Sequence, residues 1–497
     1  MHRTAILNPV PATALWVALA CALLGGCAVG PDYVRPQVAA PASFKEATTA
    51  AATDKWQTLD NAAAGVPATP EAWWKAFGDP ALDALEQELQ INNQNIALAE
   101  AQYRAARAAL DSANAAFYPT VNGSFGATRA ANAIVNNSNG TQSQGASSPN
   151  TTVNLSASAS WELDVWGKIR RSSEAAGAKL DASAADVAAA RLSAQALLAQ
   201  TYIQLRSAEL QLDLQKRTVV AYTRYLELTR NRYSVGVASP LDVSNAESQL
   251  ATARATGHTV ELQRAQYEHA LATLVGKTPS ELSIPGTAAL PAQPATPALV
   301  PSTWLATRPD IVAAERRVAA ANAQIGVAKA AWFPSLTLTG SAGYRNNELA
   351  DLISLPHRFW SLGPALALAL FDGGARSAAV ASAGAAYDQS VATYRQTVLT
   401  AFQEVEDNLA AARLVGEERQ EREVAANAAR RTREIAENQY LAGTSGQLEV
   451  TVAQGTELSA ERTLIDAQQR HLQAAVQLYK NTGRVSLTES GGQEKAQ

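Results

Sequence analysis

The chain has 497 residues, 47% of them hydrophobic but only 6% aromatic, with 17% charged and a net charge of −4. Apolar content of this kind is small and aliphatic, which argues against a bulky globular core. A near-neutral chain without a Lys/Arg-rich run also lacks the electrostatic footprint of a nucleic-acid binder. Five His and two Cys leave little material for a metal site.

Residues 1–26 carry a short basic start (His2, Arg3), an apolar run from Ala12 to Leu24, and the small residues Gly25 and Gly26. That is the layout of a secretory signal, and the run is too short to span a bilayer. Leu24-Gly25-Gly26-Cys27 resembles the lipobox of bacterial lipoproteins, in which cleavage precedes the cysteine and its sulfur receives diacylglycerol. Cys27 is then the first mature residue and the lipidation site, and Cys21 leaves with the signal, so no internal disulfide can form. By the same resemblance, Ala28 in place of Asp favours the outer membrane.

The rest of the chain reads as one unit written twice, roughly 200 residues apart. Val165-Trp166-Gly167-Lys168-Ile169-Arg170 corresponds to Phe371-Asp372-Gly373-Gly374-Ala375-Arg376, and Ala115-Ala116-Phe117-Tyr118-Pro119 to Ala330-Ala331-Trp332-Phe333-Pro334. Tyr233-Ser234-Val235-Gly236 with Leu241-Asp242-Val243 corresponds to Tyr440-Leu441-Ala442-Gly443 with Leu448-Glu449-Val450. The expected layout is a lipidated tether over 27–70, a first repeat over 71–284, a Pro-rich connector over 285–301, a second repeat over 302–486 and a tail over 487–497. The Asn/Ser/Gly-rich stretch from Ala131 to Asn150 reads as a longer loop in the first copy.

Each copy predicts a helix, two strands, a very long helix, a tight turn and another helix. The leading helices are expected over Leu82–Ala116 and Asp310–Ala331. Between Arg170 and Tyr233 there is no Pro, and Leu198, Leu205, Leu212, Val219, Leu226 and Tyr233 recur every seven residues, the signature of a coiled-coil seam. At about 1.5 Å per residue the run extends about 96 Å, and its many charges keep it out of lipid. Arg376–Tyr440 repeats the pattern, and Leu241–Leu274 and Leu448–Asn481 supply the shorter partners. Ala453, Ala460, Ala467 and Ala474 form a small-residue seam that permits close helix approach.

From Val153 to Val165 the odd positions are apolar and the even ones polar, so one strand face meets a greasy phase and the other water. Leu336, Leu338 and Tyr344, then Leu362, Leu366, Leu368 and Leu370, give a weaker version in the second copy. Four such strands cannot close a barrel, so their edges require other copies of the chain; a soluble hairpin packed on the helices is the alternative.

Cys27-Ala28-Val29-Gly30-Pro31-Asp32-Tyr33, Trp73-Trp74 with Phe77-Gly78-Asp79-Pro80, and Arg308-Pro309-Asp310-Ile311 with Ala331-Trp332-Phe333-Pro334 occur in this order. Together they resemble the outer-membrane factor family of TolC/OprM-type efflux channels, in its lipoprotein branch. The resemblance implies a mixed α/β membrane protein: a trimeric, twelve-stranded outer-membrane β-barrel continued by a long periplasmic α-helical barrel, with the internal two-fold repeat. It implies no catalysis and no cofactor beyond the lipid on Cys27. The implied partners are two further copies, outer-membrane lipids, a periplasmic adaptor (membrane fusion) protein and an inner-membrane resistance-nodulation-division pump.

The resemblance further implies that the turns after Tyr233 and Tyr440 form the periplasmic tip and touch the adaptor, with Gly236, Asp242, Tyr440 and Gly443 as matching positions. Gly at each turn fits the left-handed conformation beyond a helix end. The matching pore constriction is Leu448, Glu449 and Val452. Val452 departs from the family's usual acid, and Ser445 from its basic latch residue, leaving Glu449 as a single acidic ring. A helix-capping role for Glu449 and Asp242 is the competing assignment. Against an enzyme, His258, His269, His357 and His471 lack partners at triad or metal spacing. A structural coiled-coil envelope lipoprotein without channel activity explains the heptads and Cys27, but not the alternating strands.

Overall fold

The computed structural model describes residues 29–40, 44–46, 57–58, 72–131, 133–138, 141–146, 149–294 and 307–481. Cys27, the signal segment, most of the tether, residues 295–301 of the connector and the tail lie outside them. The chain divides into two compact units: residues up to 35 with 104–181 and 315–392, and residues 36–103 with 182–314 and those from 393 onward.

The elements are two-residue strands β1 (Ala39–Ala40) and β2 (Gln57–Thr58), α1 (Pro80–Asn92), α2 (Gln94–Ala115), β3 (Thr120–Ala130), β4 (Ala133–Ser138), β5 (Thr141–Ala146) and β6 (Asn150–Leu163). After these come α3 (Lys168–Ser234), α4 (Pro240–Leu274), α5 (Pro309–Ala330), β7 (Ser335–Asn346), β8 (Arg358–Ala367), α6 (Ala375–Leu441) and α7 (Gln447–Asn481). The long helices α3 and α6 have 67 residues each and their partners α4 and α7 have 35 each. No described helix is long and apolar enough to cross a membrane.

In the first unit, four antiparallel strands run in the order β3-β6-β7-β8. Their register places Phe125 opposite Leu155 and Leu155 opposite Tyr344, and sets Leu336 against Leu366 and Gly340 against Leu362. Because strand side chains alternate, Val121, Phe125, Leu155, Leu338, Leu362 and Leu366 share one face. On the opposite face Ser124 meets Ser156 and Ser341 meets Ser361. The alternation expected in the sequence is therefore present in β6, β7 and β8, although Arg358 lies on the apolar face and Leu368 and Leu370 lie beyond the end of β8. Val121, Trp360 and Leu362 are 70%, 73% and 69% exposed, so the apolar face is uncovered along the two outer strands, while Val153 in β6 is buried. The stretch expected as a loop between Ala131 and Asn150 instead contains the paired strands β4 and β5, with Ala133 opposite Ala146.

Asp turns carry the sheet into the long helices. Asp164 accepts from the Ile169 and Arg170 amides at 2.9 Å each, capping α3 behind Gly167 at φ 79°. Asp372 does the same for α6 through Gly374 and Arg376, and hydrogen bonding from Arg376 holds its carboxyl below the usual range. The Trp166 ring stacks on Phe333 at 4.7 Å and its indole donates to the Pro334 carbonyl.

Residues 29–33 dock on this unit: the Val29 amide donates to the Trp166 carbonyl, Arg171 pairs with Asp32 at 2.7 Å, and Tyr33 donates to the Glu315 carboxylate. A Cβ on Gly30 would fall 2.5 Å from the Gly326 Cα, so a pair of glycines is needed where the segment crosses α5.

The second unit has a self-contained core. Trp73, Trp74 and Phe77 form a 3₁₀ turn that ends on Gly78 at φ 63°, and Asp79 caps α1 through the Ala81 and Leu82 amides with Pro80 in the first position. Tyr202 of α3 donates to the same Asp79 at 2.7 Å. These aromatic residues pack with Leu82, Leu198, Leu205 and Leu271.

Where one leading helix was expected over Leu82–Ala116, Asn93 breaks it into α1 and α2. The Asn93 side chain caps α2 through the Asn95 and Ile96 amides while its amide nitrogen donates to the Leu274 carbonyl at 2.7 Å.

Arg206 and Glu209, both almost fully buried, pair at 2.7 Å, and Arg264 joins Glu209 and Glu268. Together they bind backbone groups of Ile284, Pro285 and Thr287, pinning the start of the connector. Phe44 of the tether is buried beside Phe402, and Glu406 accepts from the Lys45 and Glu46 amides.

Candidate functional site

The two interhelical turns of the second unit are built alike. In each, a glycine takes a positive φ, 81° at Gly236 and 74° at Gly443. The amides of Gly236 and Val237 close on the carbonyls of Tyr233 and Arg232, and those of Gly443 and Thr444 on Tyr440 and Gln439. Both are Schellman closures, which satisfy helix-end carbonyls only when the glycine position is left-handed.

The next helices start differently. Ser239 and Asp242 form a reciprocal capping box on α4. Glu449 takes the equivalent third position of α7 and reaches back to the Gly446 amide, but glycine offers no side chain in return. Both acids therefore serve their helix N-termini, which agrees with the capping assignment.

Tyr440 is 7% exposed, with its ring 6.2 Å from that of Tyr225 and the Arg232 guanidinium 4.3 Å above it. Around them pack Leu226, Ala246, Leu250, Val450 and Ala453. Gln447 donates to the Asp242 carbonyl at 3.1 Å, joining the turns directly. Neither the Arg232 contact nor the Gln447 bond was foreseen, because each joins residues of different helices that no spacing rule connects.

Leu448 is 74% exposed, and Glu449 and Val452 are also exposed. Val452 lines an open groove of about 460 Å³ between α6 and α7 with Arg422, Gly455, Thr456 and Ser459. Deeper along the same helices, Arg433 pairs with Glu437 and Glu457 at 2.8 Å each and Arg430 with Glu461 at 2.8 Å. Among the described residues no three His, Cys, Asp or Glu side chains could hold a metal ion.

The model of the outer membrane efflux protein family matches residues 85–277 and 300–484. The chain belongs to this family. It is 31% identical to the probable efflux pump outer membrane protein TtgC of Pseudomonas putida, over 94% of this chain and 95% of that one. Outer membrane protein OprJ of Pseudomonas aeruginosa is also 31% identical, over 95% and 96%. Among solved structures, the outer-membrane channel OprN aligns with a TM-score of 0.82 at 30% identity, covering 92% of this chain and 99% of that one. The open state of MtrE from Neisseria gonorrhoeae aligns at 0.75 and 27%, covering 92% and 98%. This outer membrane efflux protein is thus an outer-membrane channel component, of a transport class and not an enzyme class.

Proposed function

We propose that three copies of the chain join their four-stranded sheets into one twelve-stranded barrel, continued by an α-helical barrel in the periplasm. The channel passively conducts small molecules, drugs or other toxic compounds among them, out of the cell. The observation that carries this reading is the sheet itself: β3 and β8 are its outer strands, and one of its faces exposes the large apolar side chains of Val121, Phe125, Trp360, Leu362 and Leu366. Unpaired edges and a greasy face call for neighbouring strands and lipid. The matched helix lengths support the two repeats over 71–284 and 302–486. Cys27 carries the lipid, and the docked residues 29–33 hold the chain beside it.

The turns bearing Gly236, Asp242, Tyr440 and Gly443 meet the periplasmic adaptor, which couples the channel to a resistance-nodulation-division pump. Leu448, Glu449 and Val452 narrow the pore. Three Glu449 carboxylates around one aperture favour cations, and the exposure of all three side chains supports that placement. Planar-bilayer recording tests both levels of the proposal. Discrete currents are expected, and Glu449→Gln should lower cation selectivity without loss of folded trimer. A chain that gives no current would return the reading to a structural envelope lipoprotein, and unchanged selectivity in Glu449→Gln would move the constriction elsewhere.

A further inference from the structure

The two ends of the sheet treat positive charge differently. In the turns that lead from the strands into the long helices, Lys168 pairs with Glu162 at 3.0 Å, Arg170 with Asp164 at 3.3 Å and Arg376 with Asp372 at 2.6 Å. At the opposite, loop end, Arg129 of β3 and Arg358 of β8 are exposed, and neither has an ion pair among the described residues. Residues 131–149, which join β3 to β6, contain no acid. Glu348 and Asp351, between β7 and β8, are exposed and pair with neither arginine among the described residues.

Register puts both arginines on the apolar face. Arg129 opposes Thr151 as Phe125 opposes Leu155, and Arg358 opposes Tyr344 as Trp360 opposes Ala342. From Val121 to Arg129, and from Leu366 to Arg358, is eight residues. That is about 26 Å of extended strand, or about 20 Å once strands tilt in a barrel. The arginines therefore lie near the far border of an apolar band that is roughly 25 Å tall. Tyr344 and Trp360 stand beside Arg358 on the same face, and such aromatic side chains favour a membrane–water border. At that border the stem of an arginine lies along acyl chains while its planar fork donates two parallel hydrogen bonds to a phosphate.

We propose that Arg129 and Arg358 bind a phosphate-bearing, net-anionic lipid headgroup in the leaflet at the loop end of the sheet. The site rests on the trimeric-barrel reading. β3 and β8 are the outer strands and run antiparallel, so joining β8 of one copy to β3 of the next sets loop end beside loop end. The two arginines then flank each of the three seams, and one lipid bridges neighbouring copies.

Native mass spectrometry of the full-length acylated protein, released from detergent with bisphosphorylated lipid A or phosphatidylcholine added, tests it. The wild-type trimer should retain up to three lipid A molecules and hold phosphatidylcholine far more weakly. The double variant Arg129→Gln with Arg358→Gln should weaken lipid A retention by about tenfold or more. Arg345→Gln, whose guanidinium lies over the Phe359 ring on the polar face, should leave retention unchanged. Inorganic phosphate at the same concentration should not displace the lipid, because it lacks the acyl chains that the apolar face holds. Equal retention by wild type and double variant would overturn the proposal, as would equal retention of phosphatidylcholine or displacement by inorganic phosphate. A double variant that loses its trimer, while its remaining trimers hold lipid A normally, would assign the arginines to acids of the neighbouring copy and also overturn it. A wild type that flies as a single chain would instead overturn the trimeric reading, so the two failures are distinct.

Discussion

Around Trp73 and Tyr202 the helices bury their large side chains on one another, with Leu82, Leu198 and Leu205 fully inaccessible, whereas the four-stranded sheet leaves Val121, Trp360 and Leu362 largely uncovered. The polar groups differ in the same sense. Arg206, Glu209, Arg264 and Glu268 are consumed in one buried network, while the sheet's hydroxyls sit exposed and pair lightly with each other. A region whose large side chains are buried on one another within one chain can hold itself together; a sheet with open edges and a largely uncovered apolar face offers sites for further strands and an apolar phase.

Breaking the buried network should have the largest effect. Glu209→Ala strands Arg206 and Arg264 without their shared acid, and removing one partner of a buried ion pair costs roughly 3–5 kcal/mol. The expected outcome is a large fall in the apparent Tm of the helical signal with the connector released, measured by circular dichroism and by limited proteolysis near Pro285.

A somewhat smaller effect sharpens the comparison from within the helical core. Glu86 is fully inaccessible and neither of its carboxylate oxygens has a partner. Burial, with Asp83 adding to it, pushes its carboxyl from 4.5 up to about 9. An acid raised on folding stays protonated in the native state while the unfolded chain ionises, so its contribution to stability is present below about pH 4.5 and is lost progressively as pH rises towards 9. The maximal slope is about 1.4 kcal/mol per pH unit. Glu86→Gln should flatten the decline of Tm between pH 5 and 8, and a variant that follows the wild-type profile would show that Glu86 is charged or solvated.

On the sheet, the smallest change is expected from Ser341→Ala, which removes one exposed hydroxyl pair worth about 0.5–1 kcal/mol. Folded yield and heat resistance on gels should match the wild type. A marked loss would mean that the hydroxyl rungs, and not strand pairing and lipid contact, hold the sheet together.

Much of this architecture was legible in the sequence. Seven-residue spacing from Leu198 to Leu226 and the absence of Pro located α3 to within two residues at either end, and Gly236 and Gly443 marked its turn and that of α6 because a left-handed position selects them. Alternation from Val153 to Leu163 located β6 and its greasy face. Asn93 was invisible because its amide partner, the Leu274 carbonyl, lies 181 residues away and no local pattern encodes that bond. The β4–β5 pair was missed because its residues are those that ordinarily form turns. At the candidate site the positions of Leu448, Glu449 and Val452 were readable by family resemblance, but the Arg232 contact that seats Tyr440 depends on two helices meeting.

The central claim is that the sheet is one third of a barrel. Native mass spectrometry of the protein released from its detergent micelle measures this directly, since it counts chains and weighs the acyl groups on each. The account predicts three copies, each carrying the mass increment of lipid on Cys27. A stable single chain that retains its β-sheet signal would contradict it.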